Sequence, residues 1–150
     1  MSKFASNDEK RMFNYINKKL IDIEQRHYLK LINSTYMFSN VDFMILNTQS
    51  LKTIYLEVKA VNNIPSIIDV AKIVNIRKYY YNNCVVLYLY NKEYYWLYSK
   101  HIDWNTIEIK EVLGKAVYHI EKHFSKDIEK LKELIFIGML NYSNTSSKLY

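Results

Sequence analysis

The chain has 150 residues, 49% of them hydrophobic and 24% charged, which is the balance of a soluble globular protein large enough to bury a real core. Two glycines and one proline exclude long flexible linkers and glycine-rich phosphate loops, and no apolar run approaches the roughly 20 residues that span a bilayer. Twenty-one Lys and Arg against 15 Asp and Glu leave a net charge of +6, which favours a polyanionic partner.

Cys84 is the only cysteine, so no intramolecular disulfide forms and a reducing compartment is expected. It opens an apolar run and reads as a small core residue. The first six residues lack an apolar signal stretch. The expectation is therefore a protein that is not secreted, in the cytoplasm or associated with a nucleoid or nucleus. Abundant Asn, Lys, Ile and Tyr suggest an AT-rich coding genome, and a phage, viral or mobile-element origin fits the chain.

Ser6 and Glu9 have the spacing of a capping box, and from there to about residue 32 Phe13, Ile16, Leu20, Ile23 and Leu31 recur at helical spacing. Glu24 lies beside that stripe. Residues 36–38 read as a short first strand. Residues 41–46 and 53–60 read as a hairpin joined by a polar turn. The second of these strands carries Glu57 and Lys59, which a strand's period of two places on one face. Charges inside so apolar a strand are costly unless something pairs with them, and a divalent metal with a phosphate would satisfy both signs.

Residues 62–66, with Pro65, break that strand and start a helix running to about Tyr80, with Ile67, Val70, Ile73 and Val74 as its apolar face. Lys72, Arg77 and Lys78 lie on this helix. Residues 84–90 form a continuous apolar run, as a buried strand would, and 94–99 another strand. From about 104 to 140 the spacing predicts mostly helix, divided at Gly114 or near Ser125. Part of its apolar stripe would cover the sheet. The remainder would either complete one intramolecular core or form a homodimer interface. Residues 141–150 read as a polar tail. His119 and His123, four apart, would share a helix face and chelate a metal there, yet no Glu follows His119 and no cysteine lies nearby. Of the fifteen tyrosines, Tyr79, Tyr80, Tyr81, Tyr88, Tyr90, Tyr94, Tyr95 and Tyr98 cluster with Trp96 around the last two strands, where most would fill a pleated sheet and one or two would reach a substrate.

The predicted order is helix, strands in a meander, helix, strand, strand, helices: an α/β arrangement with a central mixed sheet flanked by helices. With Asp42 on the second strand and Glu57-Val58-Lys59 on the third, it resembles the PD-(D/E)XK, or restriction-endonuclease-like, nuclease superfamily. Holliday-junction resolvases and small homing or phage endonucleases are the nearest in character. Asn40-Val41-Asp42 stands where the family's Pro-Asp often stands, without the proline. Glu57-Val58-Lys59 matches the Glu-x-Lys in full, and Glu24 matches a frequent additional acid on the first helix. The resemblance implies an α-β-β-β-α-β nuclease core at about residues 7–99, inside a single domain 1–150 with a C-terminal helical extension.

It further implies metal-dependent hydrolysis of DNA phosphodiesters. Asp42, Glu57, the Val58 backbone carbonyl and Glu24 would hold Mg²⁺ or Mn²⁺, hard cations suited to oxygen ligands. Lys59 would serve the attacking water, and Lys72, Arg77 and Lys78 would contact the nucleic acid. Two alternatives remain. An RNA endonuclease of the cap-snatching kind would need a metal-binding histidine, for which His27 is the candidate. A non-catalytic nucleic-acid-binding module on the same fold would need no buried carboxylates.

Overall fold

The protein is described from a computed structural model, covering residue 4 and residues 6–22, 26–34, 41–80 and 83–139. Helix α1, Asn7–Tyr15, is capped by Ser6, whose hydroxyl accepts from the Glu9 amide at 3.1 Å, and Asp8 and Glu9 occupy the positive end of its dipole. A π turn at Ile16–Leu20 continues it. Ile16 and Leu20 of the predicted apolar face are fully buried, joined by Met12 and Ile21, while Phe13 is partly buried. The helix is shorter than the spacing predicts. Asp22 turns into the left-handed region at φ 48, and Leu31 belongs to a strand, β1 (Leu29–Asn33). Glu24 and residues 36–38 lie outside the described residues.

β1 pairs antiparallel with β2 (Phe43–Asn47), and β2 with β3 (Thr53–Ala60). β3 pairs in parallel with β5 (Cys84–Tyr90), and β5 antiparallel with β6 (Glu93–Tyr98). The mixed sheet runs β1-β2-β3-β5-β6. Its two faces have separate cores. Ile54, Leu56, Val58, Val85 and Leu87 pack with α1 and with Leu131 and Ile135 of α3 (Ile128–Gly138). On the opposite face Cys84 and Val86 pack with Ile73 and Ile76 of α2 (Val70–Tyr80) and with Trp104 and Ile120. Cys84 is wholly buried, as expected of a core residue.

Two predicted helical stretches differ. The helix expected from Pro65 begins only at Val70, because the β-branched pair Ile67-Ile68 is drawn into a short strand, β4 (Ile67–Asp69). Asp69 then caps α2 by accepting from the Ala71 amide at 2.9 Å. Ile73 and Ile76 form the inner face of α2, and Val74 points out.

The expected helical extension at 104–140 is helical in earnest only at α3, where Asp127 caps the first turn. Ahead of it stands a hairpin, β7 (Ile109–Val112) and β8 (Lys115–His119). Leu113 and Gly114 make its two-residue turn with φ values of 52 and 80, the doubly positive geometry that matches strand twist. β4, β8 and β7 form a second sheet. His119 ends β8, while His123 sits in a separate 3-10 turn, so they share no helix face.

Asn47 ties the far end of the main sheet to α3. It is buried, its amide donates to the Met139 carbonyl at 2.6 Å, and its oxygen accepts from the Gln49 and Ser50 amides. Asn47→Ala would strand three polar groups. Urea denaturation of this variant is expected to show a loss of about 2–3 kcal/mol, against under about 0.5 for the exposed control Lys92→Ala.

Candidate active site

β3 is the central strand of the five-stranded sheet, between an antiparallel and a parallel neighbour. Its side chains alternate: Ile54, Leu56 and Val58 face α1, and Tyr55, Glu57 and Lys59 face the α2 side. Continuing the β2–β3 register one place beyond Phe43↔Leu56 sets Asp42 beside Glu57. Asp42 is fixed by its own backbone, which donates to the Leu56 carbonyl at 3.2 Å and accepts from the Ser34 amide at 2.8 Å. Its Oδ2 accepts from the Val58 amide at 3.0 Å. The sequence expectation that Asp42, Glu57, Val58 and Lys59 converge is therefore met in space.

Glu57 is the unusual member. Its side chain is only 8% exposed, and Oε1 receives the Lys72 ammonium at 3.0 Å. The other oxygen, Oε2, is buried and accepts no hydrogen bond. Burial pushes the Glu57 carboxyl up to about 8 from 4.5, and Asp42 adds to the rise both by its charge and by accepting a hydrogen bond from the protonated form. Lys72 pulls in the opposite direction and loses. Two adjacent carboxylates, one with an orphaned buried oxygen, want a further positive charge between them. One lysine, itself nearly half exposed, does not supply enough.

Asp42, Glu57 and Val58 line a cavity of about 590 Å³ together with Lys59, Lys72 and Tyr88. Lys59 opposes Tyr88 in the β3–β5 register. Burial, then the Glu57 charge, pushes the Tyr88 phenol up to about 12, so it stays a hydrogen-bond donor in neutral water. The second sheet walls the cavity's other side with Asp69, Val117, Val112, Leu113 and Lys115.

Lys72 was placed near the site by sequence and is there, directly on Glu57. Arg77 and Lys78, farther along α2, are exposed and do not line this cavity. Glu24 lies outside the described residues. His27 occupies an exposed turn ahead of β1 and is not on a helix. Asp69 and Lys115 escaped the sequence reading, and Tyr88 is the member of the tyrosine cluster that lines the cavity. Asp69 left one usable signal, an acid at the boundary between a β-branched pair and a helix, where caps belong.

Among the described residues no three His, Cys, Asp or Glu side chains gather as a metal cluster. A hard cation such as Mg²⁺ often takes one or two carboxylates and fills its remaining positions with water and substrate oxygen. Asp42 and Glu57 suit that pattern, and the orphaned Oε2 is the atom that fits it.

The raised proton affinity of Glu57 has a measurable sign. In the unfolded chain the group ionises near 4.5, and in the folded protein near 8. Folding therefore costs nothing at this site below about pH 4.5, and the cost grows until about pH 8. Relative to wild type, Glu57→Gln is expected to gain roughly 1–3 kcal/mol between pH 4 and pH 9 in metal-free urea titrations. A difference that stays flat with pH would remove the buried-acid account.

No family model matches the sequence, and no curated protein matches it. Among solved structures the chain is similar to Hjc of Archaeoglobus fulgidus, a Holliday junction resolvase from an archaeal hyperthermophile. The TM-score is 0.51, at 10% identity, over 83% of this chain and 96% of that one. The likeness is one of fold: a central mixed sheet flanked by helices, of the restriction-endonuclease-like type.

Proposed function

We propose that this chain is a metal-dependent endonuclease that hydrolyses DNA phosphodiester bonds at the cavity above β3. The observation that carries the reading is the pairing of Asp42 with a buried, incompletely satisfied Glu57, two residues from Lys59, on a fold shared with a junction resolvase. The Asp42 and Glu57 carboxylates and the Val58 peptide would hold Mg²⁺ or Mn²⁺. Such an ion, when bound, supplies Lewis acidity toward the phosphate and lowers the pKa of a coordinated water.

The chain's own residues have separable tasks. The Val58 amide fixes one Asp42 oxygen and so orients the carboxylate. Glu57 is held in one rotamer by Lys72 and by the wall of β5. Lys59, which lines the cavity and is exposed, would position the attacking water and meet the charge that develops on the phosphate. Tyr88, kept protonated, would offer a hydrogen bond to a phosphate oxygen from the cavity wall. The net charge of +6 favours approach of a polyanion. A homodimer, which would place two such sites on two strands, belongs to the same proposal.

DNA is favoured over RNA because the histidine that a cap-snatching enzyme would need is not at the site: His27 lies in its turn ahead of β1. The buried carboxylates likewise favour an enzyme over a binding-only module.

Purified protein is expected to cut supercoiled plasmid or a four-way junction in Mg²⁺ or Mn²⁺ and to stop in EDTA. Glu57→Ala and Lys59→Ala should each lose at least about 100-fold in rate. Arg77→Ala should retain the wild-type rate at saturating substrate, since it does not line the cavity. Equal cleavage by wild type and both site variants, or none of any DNA, would refute the proposal. Preferential cleavage of single-stranded RNA would transfer it to the RNA enzyme.

A further inference from the structure

The β7–β8 hairpin ends in the most exposed large apolar side chain described, Leu113, which is 98% exposed. Val112 beside it is also exposed, as is Ile109 at the start of β7. Apolar surface at a hairpin tip is unfavourable in water, and Leu113 adds a second cost by adopting a positive φ. The chain's other doubly positive turn, Asn91-Lys92 between β5 and β6, uses polar residues. Leu51 is exposed at positive φ as well, yet it does not line the active-site cavity, and Leu113 does.

The hairpin also has two distinct faces. The cross-strand pairs Val112↔Lys115 and Lys110↔Val117 share one face, and Val112, Lys115 and Val117 line the cavity. That face combines lysines with apolar side chains; Lys110 also meets the exposed Glu108 at 3.9 Å, and Asp69 stands opposite Val117. Glu111 pairs with Ala116 on the other face. An apolar tip above two lysines, at the rim of a cavity lined by Glu57 and Lys59, matches a base step flanked by phosphates.

We propose that the hairpin tip is a nucleic-acid wedge. Leu113 enters an opened base step next to the phosphate at Asp42 and Glu57, and Lys110 and Lys115 take the flanking phosphates. The substrate class follows: nucleic acid whose stacking is interrupted beside the scissile bond, in preference to continuous duplex. An apolar side chain inserted at such a step avoids most of the unstacking cost that intact duplex would impose. The inference rests on the nuclease reading for its choice of partner, but it concerns binding and does not require hydrolysis.

The test uses Leu113→Asn. It creates Asn-Gly, the sequence this turn type favours, so the hairpin should fold at least as well and the Tm should not fall. The probes are a four-way DNA junction and a linear duplex of the same arm sequence, with 2-aminopurine at the central step, titrated in Ca²⁺. Wild type is expected to raise the junction's 2-aminopurine fluorescence and to bind the junction more tightly than the duplex. Leu113→Asn should abolish the rise and weaken junction binding about tenfold, leaving duplex binding unchanged. Leu113→Phe should keep both signals. The wedge is overturned by a Leu113→Asn protein that behaves as wild type, by equal weakening toward junction and duplex, or by a wild type that binds neither. It is also overturned if Leu113→Asn converts a dimer to a monomer, which would make the tip a contact between copies. Cleavage in Mg²⁺ separates the two readings. Loss of the wedge with cleavage intact leaves the nuclease standing, and a fluorescence rise without cleavage leaves the wedge standing.

Discussion

Glu57 is held in the middle of a five-stranded sheet with a lysine on one oxygen, an aspartate close by and nothing on its second oxygen. Ordinary packing would not select such an arrangement. Replacing a buried ion pair by well-packed apolar residues is often neutral or stabilising, and the flanking positions Leu56 and Val58 show that this strand accommodates apolar residues. Much of the surrounding structure has the effect of holding that acid. The Ser34 and Leu56 backbones fix Asp42, the Val58 amide orients its carboxylate, α2 delivers Lys72, and the second sheet encloses the space above.

The topology explains how one fold satisfies these demands. The parallel pairing of β3 with β5 requires a crossover, and that crossover contains β4 and α2. The same chain segment that closes the sheet therefore brings Asp69 and Lys72 over the Glu57 face. β4 then recruits β8 and β7 by edge pairing, which hides its own open edge and carries the hairpin to the cavity rim. The opposite face, filled by α1 and α3, is mainly apolar packing, with Asn47 as a buried polar tie to the end of α3.

Asp42, Glu57 and Lys59 could be read from the sequence because strand periodicity is short and strict. An acid and a lysine two apart in an apolar strand must share a face, and a neighbouring strand with an acid at its start brings that acid alongside. The crossover helix was legible for the same reason, although Ile67-Ile68 shows how edge pairing overrides a helix start marked by proline. The hairpin was not legible. Ile109, Val112, Leu113, Val117 and Ile120 fit a helical stripe as well as two short strands, and the turn between them lacks the Asn or Asp that usually announces it. The first helix overran for a similar reason: Asp22 breaks it at φ 48 with neither glycine nor proline to mark the place. Tyr88 and Lys115 became site residues only through pairings distant in sequence, which no local pattern encodes.

The central claim is that Asp42 and Glu57 form a divalent-cation site, and anomalous diffraction from crystals soaked in Mn²⁺ at pH 8 tests it most directly. The account expects one strong peak in the cavity at Asp42 and Glu57, the residues that would hold the ion. A site with no peak at saturating Mn²⁺, and Lys72 still on Glu57, would contradict it.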